Sequence, residues 1–229
     1  MSLHVFTRRQ SRRVDELAQA DYGFSGLVLM ENAGRGLADV LCQLGIAGPV
    51  CICCGKGNNA GDGFVLARHL NLRGYAASVG LWADPDELTG DAAANYRILT
   101  KTKVSIEPFA GLPDAARWTD WLAPAAWIVD ALLGTGAHGE PRPPLDAVID
   151  RLNAAAAPKL AVDLPSGLDC DTGRPAWHTV RAVETCTFGA SKIGFAEPSA
   201  APYLGRVRVL DIGVPPDLLD RVAAEEPAS

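Results

Sequence analysis

The chain has 229 residues, 48% of them hydrophobic and 21% charged, and a net charge of −6. That is enough chain for one large α/β domain, and the acidic balance argues against nonspecific nucleic-acid binding, which needs a basic surface. No apolar run approaches the roughly 20 residues of a membrane span, and residues 1–13 are basic and polar without an apolar signal core behind them, so no membrane partner is expected and the expected compartment is the cytoplasm.

Residues 8–22 carry Val14, Leu17 and Ala18 on one helical stripe with arginines opposite. Ser25 is placed to cap a second helix over residues 25–45, in which Leu29, Ala33, Leu37, Val40, Leu41 and Leu44 recur at helical spacing. In its first turns Glu31 and Asn32 stand beside Ala33 and Gly34, so these residues either face a ligand or serve close helix packing. The run Val50-Cys51-Ile52-Cys53-Cys54 reads as a buried strand, with Cys51 and Cys53 on one face and Cys54 on the other. Cys behaves there as a small hydrophobe, and no paired CxxC spacing suggests zinc. A helix is expected from Phe64 to Leu72. Beyond it, strands are expected at 76–82, 104–107, 127–131, 159–163, 182–188 and 206–211, and helices at 89–99, 113–122 and 144–156. This alternation implies one domain over residues 1–229, α/β in class, with a mostly parallel central sheet covered by helices on both faces and a frayed tail at 223–229.

Four unusual stretches follow strands directly. Between the first strand and its helix lies Gly55-Lys56-Gly57-Asn58-Asn59-Ala60-Gly61-Asp62-Gly63. A strand, a glycine-rich turn and a helix place backbone N–H groups and a positive helix end against an anion. Gly55-x-Gly57-x-x-Ala60 fits a dinucleotide fingerprint weakly, with Asp84 a loose candidate for its acidic partner, and the absence of Gly-Lys-Ser/Thr excludes a P-loop. Asp62 is placed to cap the helix. The other stretches are Asp130 to Gly136, Asp163 to Asp169 and Phe188 to Gly194. In open parallel sheets ligands bind outside the carboxyl ends of the strands, so four such loops imply one composite pocket. Asp130, next to an apolar run, must be paired or bound to a cation. Asn59, Asp130 and Ser166 offer only oxygen, a set for a hard cation rather than zinc or copper. Lys192 either serves a phosphate or a proton transfer or is a solvated loop residue, and His138 is a possible pocket residue.

Read together, Met30 to Gly34, Gly57 to Gly63, Val129 to Gly136, Asp163 to Gly167 and Thr187 to Lys192 resemble the NAD(P)H-hydrate epimerases, the YjeF N-terminal domain family. The resemblance runs in order over almost the whole chain. It implies a Rossmann-like three-layer α/β/α sandwich and interconversion of the R and S epimers of hydrated NADH and NADPH. It also implies a bound potassium ion held by Asn59, Asp130 and Ser166, and substrate contacts from Asn58, Asn59, Ala60, Gly61, Asp62, Gly134, Thr135, Gly136, Ala137, His138, Gly139, Glu140 and Asp163. A homodimer is expected, as is a dehydratase acting on the same hydrate from a separate protein. Two positions depart from the family pattern: Ala60 and Ser191 stand where Gly and Pro are usual.

The expected chemistry uses Asp163 as general acid/base at the carbon bearing the added hydroxyl, with Lys192 as a second catalytic candidate. Two alternatives stay open on the residues alone: a nicotinamide-dependent dehydrogenase using the glycine fingerprint, and a non-catalytic nucleotide- or protein-binding module of the same fold.

Overall fold

In the computed structural model, which describes residues 4–225, seven strands form one wholly parallel sheet in the order β4-β3-β2-β5-β6-β7-β9. The strands are β2 (Val50–Cys54), β3 (Ala77–Leu81), β4 (Ser105–Pro108), β5 (Trp127–Ala131), β6 (Lys159–Val162), β7 (Glu184–Phe188) and β9 (Arg206–Leu210). The central strands β2 and β5 are buried at every residue, as continuous Val/Ile/Cys runs require when both faces are covered. A separate two-stranded parallel pair joins β1 (Val5–Phe6) to β8 (Ser191–Lys192), with Phe6 opposite Lys192. That pair fixes a loop which sequence periodicity leaves free.

Helices α1 (Arg8–Ala20), α2 (Gly26–Leu44), α3 (Asn58–Leu72), α4 (Gly90–Leu99), α5 (Ala115–Leu122), α6 (Leu145–Ala154), α7 (Ala201–Leu204) and α8 (Pro216–Ala224) complete the layers. Thr7 starts α1 with a reciprocal capping box to Gln10, and Ser25 caps α2 by accepting from the Val28 amide. One core, built on Leu37, Leu41, Phe64, Leu66 and Leu70, lies between the sheet and α2, α3 and α4. The opposite core holds Trp118, Leu122, Ile149 and Leu152 of α5 and α6. Cys54 belongs to the first core and Cys51 and Cys53 to the second, as strand alternation requires. A third core joins α1, α2 and α8 through Val14, Leu17, Leu29 and Leu218. The apolar stripe of α2 is consumed inside the chain, at Leu29, Ala33, Leu37, Val40 and Leu41, so that stripe offers no free face to a second copy.

The glycine-rich stretch departs most from expectation. It is not a loop: α3 begins at Asn58, six residues before Phe64. Gly61 and Gly63 therefore sit inside a helix, where each costs about 1 kcal/mol relative to Ala. Close approach offsets that cost. A Cβ on Gly61 would stand 2.5 Å from Met30 Sδ, and one on Gly63 would stand 2.8 Å from Cys54 Sγ and 3.0 Å from the Ala131 methyl. Gly34 meets Val65 and the Asp62 carbonyl in the same way. The cap is Gly57, with no side-chain hydrogen bond; Asp62 is an interior helical residue and caps nothing. At the carboxyl end, residues 223 and 224 extend α8 rather than fraying, and residues 226–229 lie outside the described residues. No helix among the described residues is long and apolar enough to cross a membrane.

Candidate functional site

The chain runs from β2 outward to β3 and β4 on one side, then returns to place β5, β6, β7 and β9 on the other. The crevice between the carboxyl ends of β2 and β5 is thus the topological switch point, where open α/β sheets bind ligands. Into it project the start of α3, the turn after β5, the turn after β6 and the β7–β8 connection. Because no side chain caps Gly57, the first amides of α3 remain available to an outside acceptor.

Two polar clusters form there. The first surrounds Asp130, which is a residue of β5 itself and fully buried. Its Oδ1 accepts from the Ser166 hydroxyl at 2.6 Å and from the Leu132 amide at 3.3 Å, and its Oδ2 accepts from the Ser166 amide at 2.7 Å. The Leu133 amide donates to Ser166 Oγ at 2.9 Å, and Asn59 Nδ2 donates to the Leu133 carbonyl at 3.2 Å. Burial pushes the Asp130 carboxyl up to about 6 against the opposing pull of these hydrogen bonds. No cationic side chain pairs with Asp130 among the described residues; its hydrogen-bond partners are the Ser166 hydroxyl and backbone amides, with the Leu133 carbonyl and the Asn59 side chain beside them, while burial keeps the neighbouring thiols of Cys53 and Cys54 protonated. Nor do the described residues contain a group of three or more His, Cys, Asp or Glu side chains able to hold a metal ion. One carboxylate among neutral oxygens is a donor set for a hard cation of low charge.

The second cluster lines an adjoining cavity of 160 Å³. Drug-sized ligand pockets run to roughly 300–1,000 Å³, so this one suits a single heterocycle better than a whole dinucleotide. Asp163, the residue after β6, has φ +65, a left-handed conformation that Asp adopts more readily than most residues. Its Oδ1 accepts from the Thr187 hydroxyl at 2.9 Å and pairs with Lys192 Nζ at 3.0 Å. Lys192 is 2% exposed, so it is a buried ion-pair partner and not a solvated loop residue. Asp62, from the second turn of α3, is buried against the same cavity. Burial holds its carboxyl well above the ordinary value, and the charges of Asp163 and Asp15 push the same way. Asp15, on α1, lines the mouth, where solvent still reaches it. The enclosing walls raise its carboxyl to about 6, with Asp163 adding to the shift and Lys192 opposing it. Sequence reasoning missed Asp15. Its position on the polar side of a surface helix reads as ordinary solvation, and only the pairing of β1, just ahead of α1, with β8 brings it to the site.

The remaining candidates divide. Asn58 and Thr135 line the cavity. Asn59 serves the Asp130 cluster, and Gly134 packs against it, where a Cβ would stand 3.3 Å from the Asn59 side chain. Ala60 is fully buried in the α2/α3 core, so its methyl points away from the cavity. Gly61 packs on Met30. Gly136, Ala137 and Gly139 shape the turn after β5 without lining the cavity. His138 contacts the Arg8 guanidinium, and Glu140 accepts from the Trp177 amide at 2.9 Å, which ties this turn to α1 and to the segment before β7. Glu31 pairs with Arg68 and His69, and Asn32 donates to the Ile212 carbonyl at 2.8 Å, so both are structural. Asp84 caps a short 3₁₀ turn by accepting from the Asp86 amide, which removes it as the acidic partner of a dinucleotide fingerprint. Ser191 pairs in β8, its amide donating to the His4 carbonyl at 2.9 Å, a bond that Pro would delete.

Residues 26–194 match the family described as YjeF-related protein N-terminus. The chain is 48% identical over 220 residues to the NAD(P)H-hydrate epimerase of Pirellula staleyi, covering 96% of this chain and 97% of that one. To the NAD(P)H-hydrate epimerase of Rhodopirellula baltica it is 41% identical, over 96% and 88%. To the bifunctional NAD(P)H-hydrate repair enzyme of Salinibacter ruber it is 39% identical, over 97% of this chain but 43% of that protein. The crystal structure of the yeast protein ynu0 superimposes with a TM-score of 0.80 at 25% identity, over 99% and 96% of the two chains.

Proposed function

The chain belongs to the family of YjeF-related protein N-termini, and from that membership we propose that it is an NAD(P)H-hydrate epimerase, interconverting the R and S forms of hydrated NADH and NADPH in nicotinamide nucleotide repair. The observation that carries this reading in the structure is the buried Asp163–Lys192 pair facing a heterocycle-sized cavity at the switch point. Epimerisation at the hydroxyl-bearing carbon requires the C–O bond to break and re-form on the other face. Lys192 and Thr187 hold Asp163 as an oriented carboxylate. From there it takes the proton of an incoming water, and its charge stabilises the cation conjugated with the ring nitrogen. The free amides at the start of α3, with Asn58, receive the phosphates outside the cavity.

The oxygen cluster of Asn59, Asp130, Ser166 and the Leu133 carbonyl suits a potassium ion. When bound, the ion would supply positive charge to a buried carboxylate that otherwise lacks any. It would thereby fix the turns that carry Thr135 and Asp163. The bifunctional repair relatives extend well beyond the span matched here, which fits a dehydratase activity consuming the same hydrate in one repair sequence.

The test uses hydrated NADH enriched in one epimer, followed by chromatography with and without the protein. The expected result is accelerated equilibration of the two epimers. An unchanged rate at micromolar protein, with and without KCl, refutes the reading.

A further inference from the structure

The cavity holds more acid than one carboxylate mechanism uses. Asp62 is nine-tenths buried and borders the cavity, yet its carboxyl has no hydrogen-bond or ion-pair partner among the described residues. It stands on the wall formed by α3, whereas Asp163 and Lys192 stand on the wall formed beyond β6 and at β8. The two acids also differ in state. Asp163 is paired with a buried ammonium, while Asp62 has no such partner and feels the like charges of Asp163 and Asp15. A reaction that removes hydroxide from one ring face and adds water to the other needs a proton donor on one side and an acceptor on the other. One carboxylate on one wall cannot reach both faces of a ring bound between the walls.

We propose that Asp62 is the second acid–base group of the epimerisation, acting on the ring face opposite Asp163, and that Asp15 is a positioning residue that keeps a proton on Asp62. This rests on the epimerase reading above. In one direction the Asp62 carboxylic acid gives its proton to the substrate hydroxyl, the C–O bond breaks and water departs. The ring nitrogen's electron pair stabilises the cation. A water on the other face forms the new C–O bond, and its proton goes to the Asp163 carboxylate. The reverse reaction starts from that state with the roles exchanged. A second turnover in the first direction requires a proton to return to Asp62, and Asp15, open to solvent at the mouth, lies where one can enter.

The charged groups around Asp62 agree with this division. Asp15 and Arg12 come from α1, Asp91 from the first turn of α4, Asp163 from the turn after β6, Lys192 from β8, and the neutral thiol of Cys54 from β2. Lys192 is committed to Asp163 at 3.0 Å, so the nearest buried cation does not compensate Asp62. Desolvation and the like charges of Asp15 and Asp163 favour the protonated acid there.

The experiment follows both epimers of hydrated NADH by chromatography in ¹⁸O-labelled water, with mass detection of the label. Wild-type protein is expected to incorporate one solvent oxygen per epimerisation. Asp62→Asn is expected to lose about 100-fold or more of the rate in both directions, the usual worth of a general acid. Its thermal midpoint should be unchanged or raised, because Asn mimics the neutral acid. Asp15→Asn is expected to move the alkaline limb of the pH–rate profile to lower pH, since removing a like charge lets Asp62 ionise earlier; a merely structural Asp15 would leave that limb in place. Asp62→Asn within tenfold of wild type, or an Asp15→Asn profile superimposable on wild type, overturns the proposal. The Asp15→Asn profile decides alone should Asp62→Asn fail to fold. A wild-type protein that does not speed equilibration overturns the epimerase reading and this inference with it.

Discussion

Lys192→Met tests whether the buried pair is the electrostatic keystone of the cavity. Methionine keeps most of the lysine stem and removes the ammonium. Lys192 is 3% and Asp163 14% exposed at the side chain, so the variant strands a nearly buried carboxylate beside Asp62. Breaking a buried pair by removing one partner costs about 3–5 kcal/mol. The low end applies here, about 3 kcal/mol, because solvent reaches Asp163 slightly and the Thr187 hydroxyl still donates to it. For a chain of this length that corresponds to a fall of about 6–12 °C in the thermal midpoint. Asp163→Asn should lose a comparable amount, since it strands Lys192 while Asn still tolerates the φ of +65. The double variant removes both charges and should recover to within about 1–2 kcal/mol of wild type, a strongly non-additive cycle. Thermal unfolding of the four proteins by circular dichroism in one buffer at pH 7.5 measures it. The double variant should still fail to equilibrate the epimers, which separates catalysis from stability. Additive losses, with the double variant the least stable, would refute the pairing argument.

Three further outcomes are expected. Asp130→Asn should abolish any rise in thermal midpoint that wild type shows in KCl over choline chloride at equal ionic strength; at 100-fold excess over Kd that rise amounts to about 2.7 kcal/mol. An undiminished response in Asp130→Asn would remove Asp130 from the cation site. Gly34→Ala should destabilise. The new Cβ collides with Val65 and stands 2.9 Å from the Asp62 carbonyl, and overpacking of about 1–3 kcal/mol outweighs the gain of about 1 kcal/mol in helix propensity. Urea unfolding checks it, and an unchanged midpoint would show that α2 and α3 can part freely. Asp15 is an acid whose folded value, about 6, lies above its ordinary 3.8. Its charge is therefore unfavourable in the fold, with no effect below pH 4 and full effect above pH 6. Asp15→Asn should accordingly gain thermal stability over wild type as pH rises from 4 to 7, and a difference independent of pH would contradict the shift.

The sheet was legible because its signals are local. Val50–Cys54 is an unbroken apolar run and Trp127–Ala131 an apolar run interrupted only by Asp130, and their ends coincide with the expected ones. That Asp130 needs a partner was legible from chemistry, since a carboxylate beside apolar residues must be paired or bound to a cation, and the structure supplies Ser166. The start of α3 was not. Glycines signal a loop when only the local chain is weighed, and what makes Gly61 and Gly63 helical is contact with Met30 on α2 and Cys54 on β2, partners distant in sequence. Asp15 escaped for the same reason, because its role depends on the pairing of Val5 with Ser191, two residues per strand and below any periodic signal. Burial of Lys192 follows from that pairing too, so one short β contact hid both a catalytic candidate's state and a neighbour's role.

The Asn-Asn-Ala-Gly-Asp stretch acquires a tighter reading from its helical form. Asn59 and Asp62 are three residues apart in α3, about one turn, yet they serve different clusters. Ser166 and Asp163 repeat the spacing in the turn after β6, again one in each cluster. Two short segments therefore couple the oxygen cluster to the acidic cavity rigidly, without any side chain shared between them. A change at Asp130 reaches the reacting ring only by shifting the α3 turn or the Ser166 turn. If the proposed cation binds at Asp130, its loss should then move Asp62 and Asp163 relative to each other and depress turnover more than nucleotide affinity, because the proposed acid pair depends on its separation.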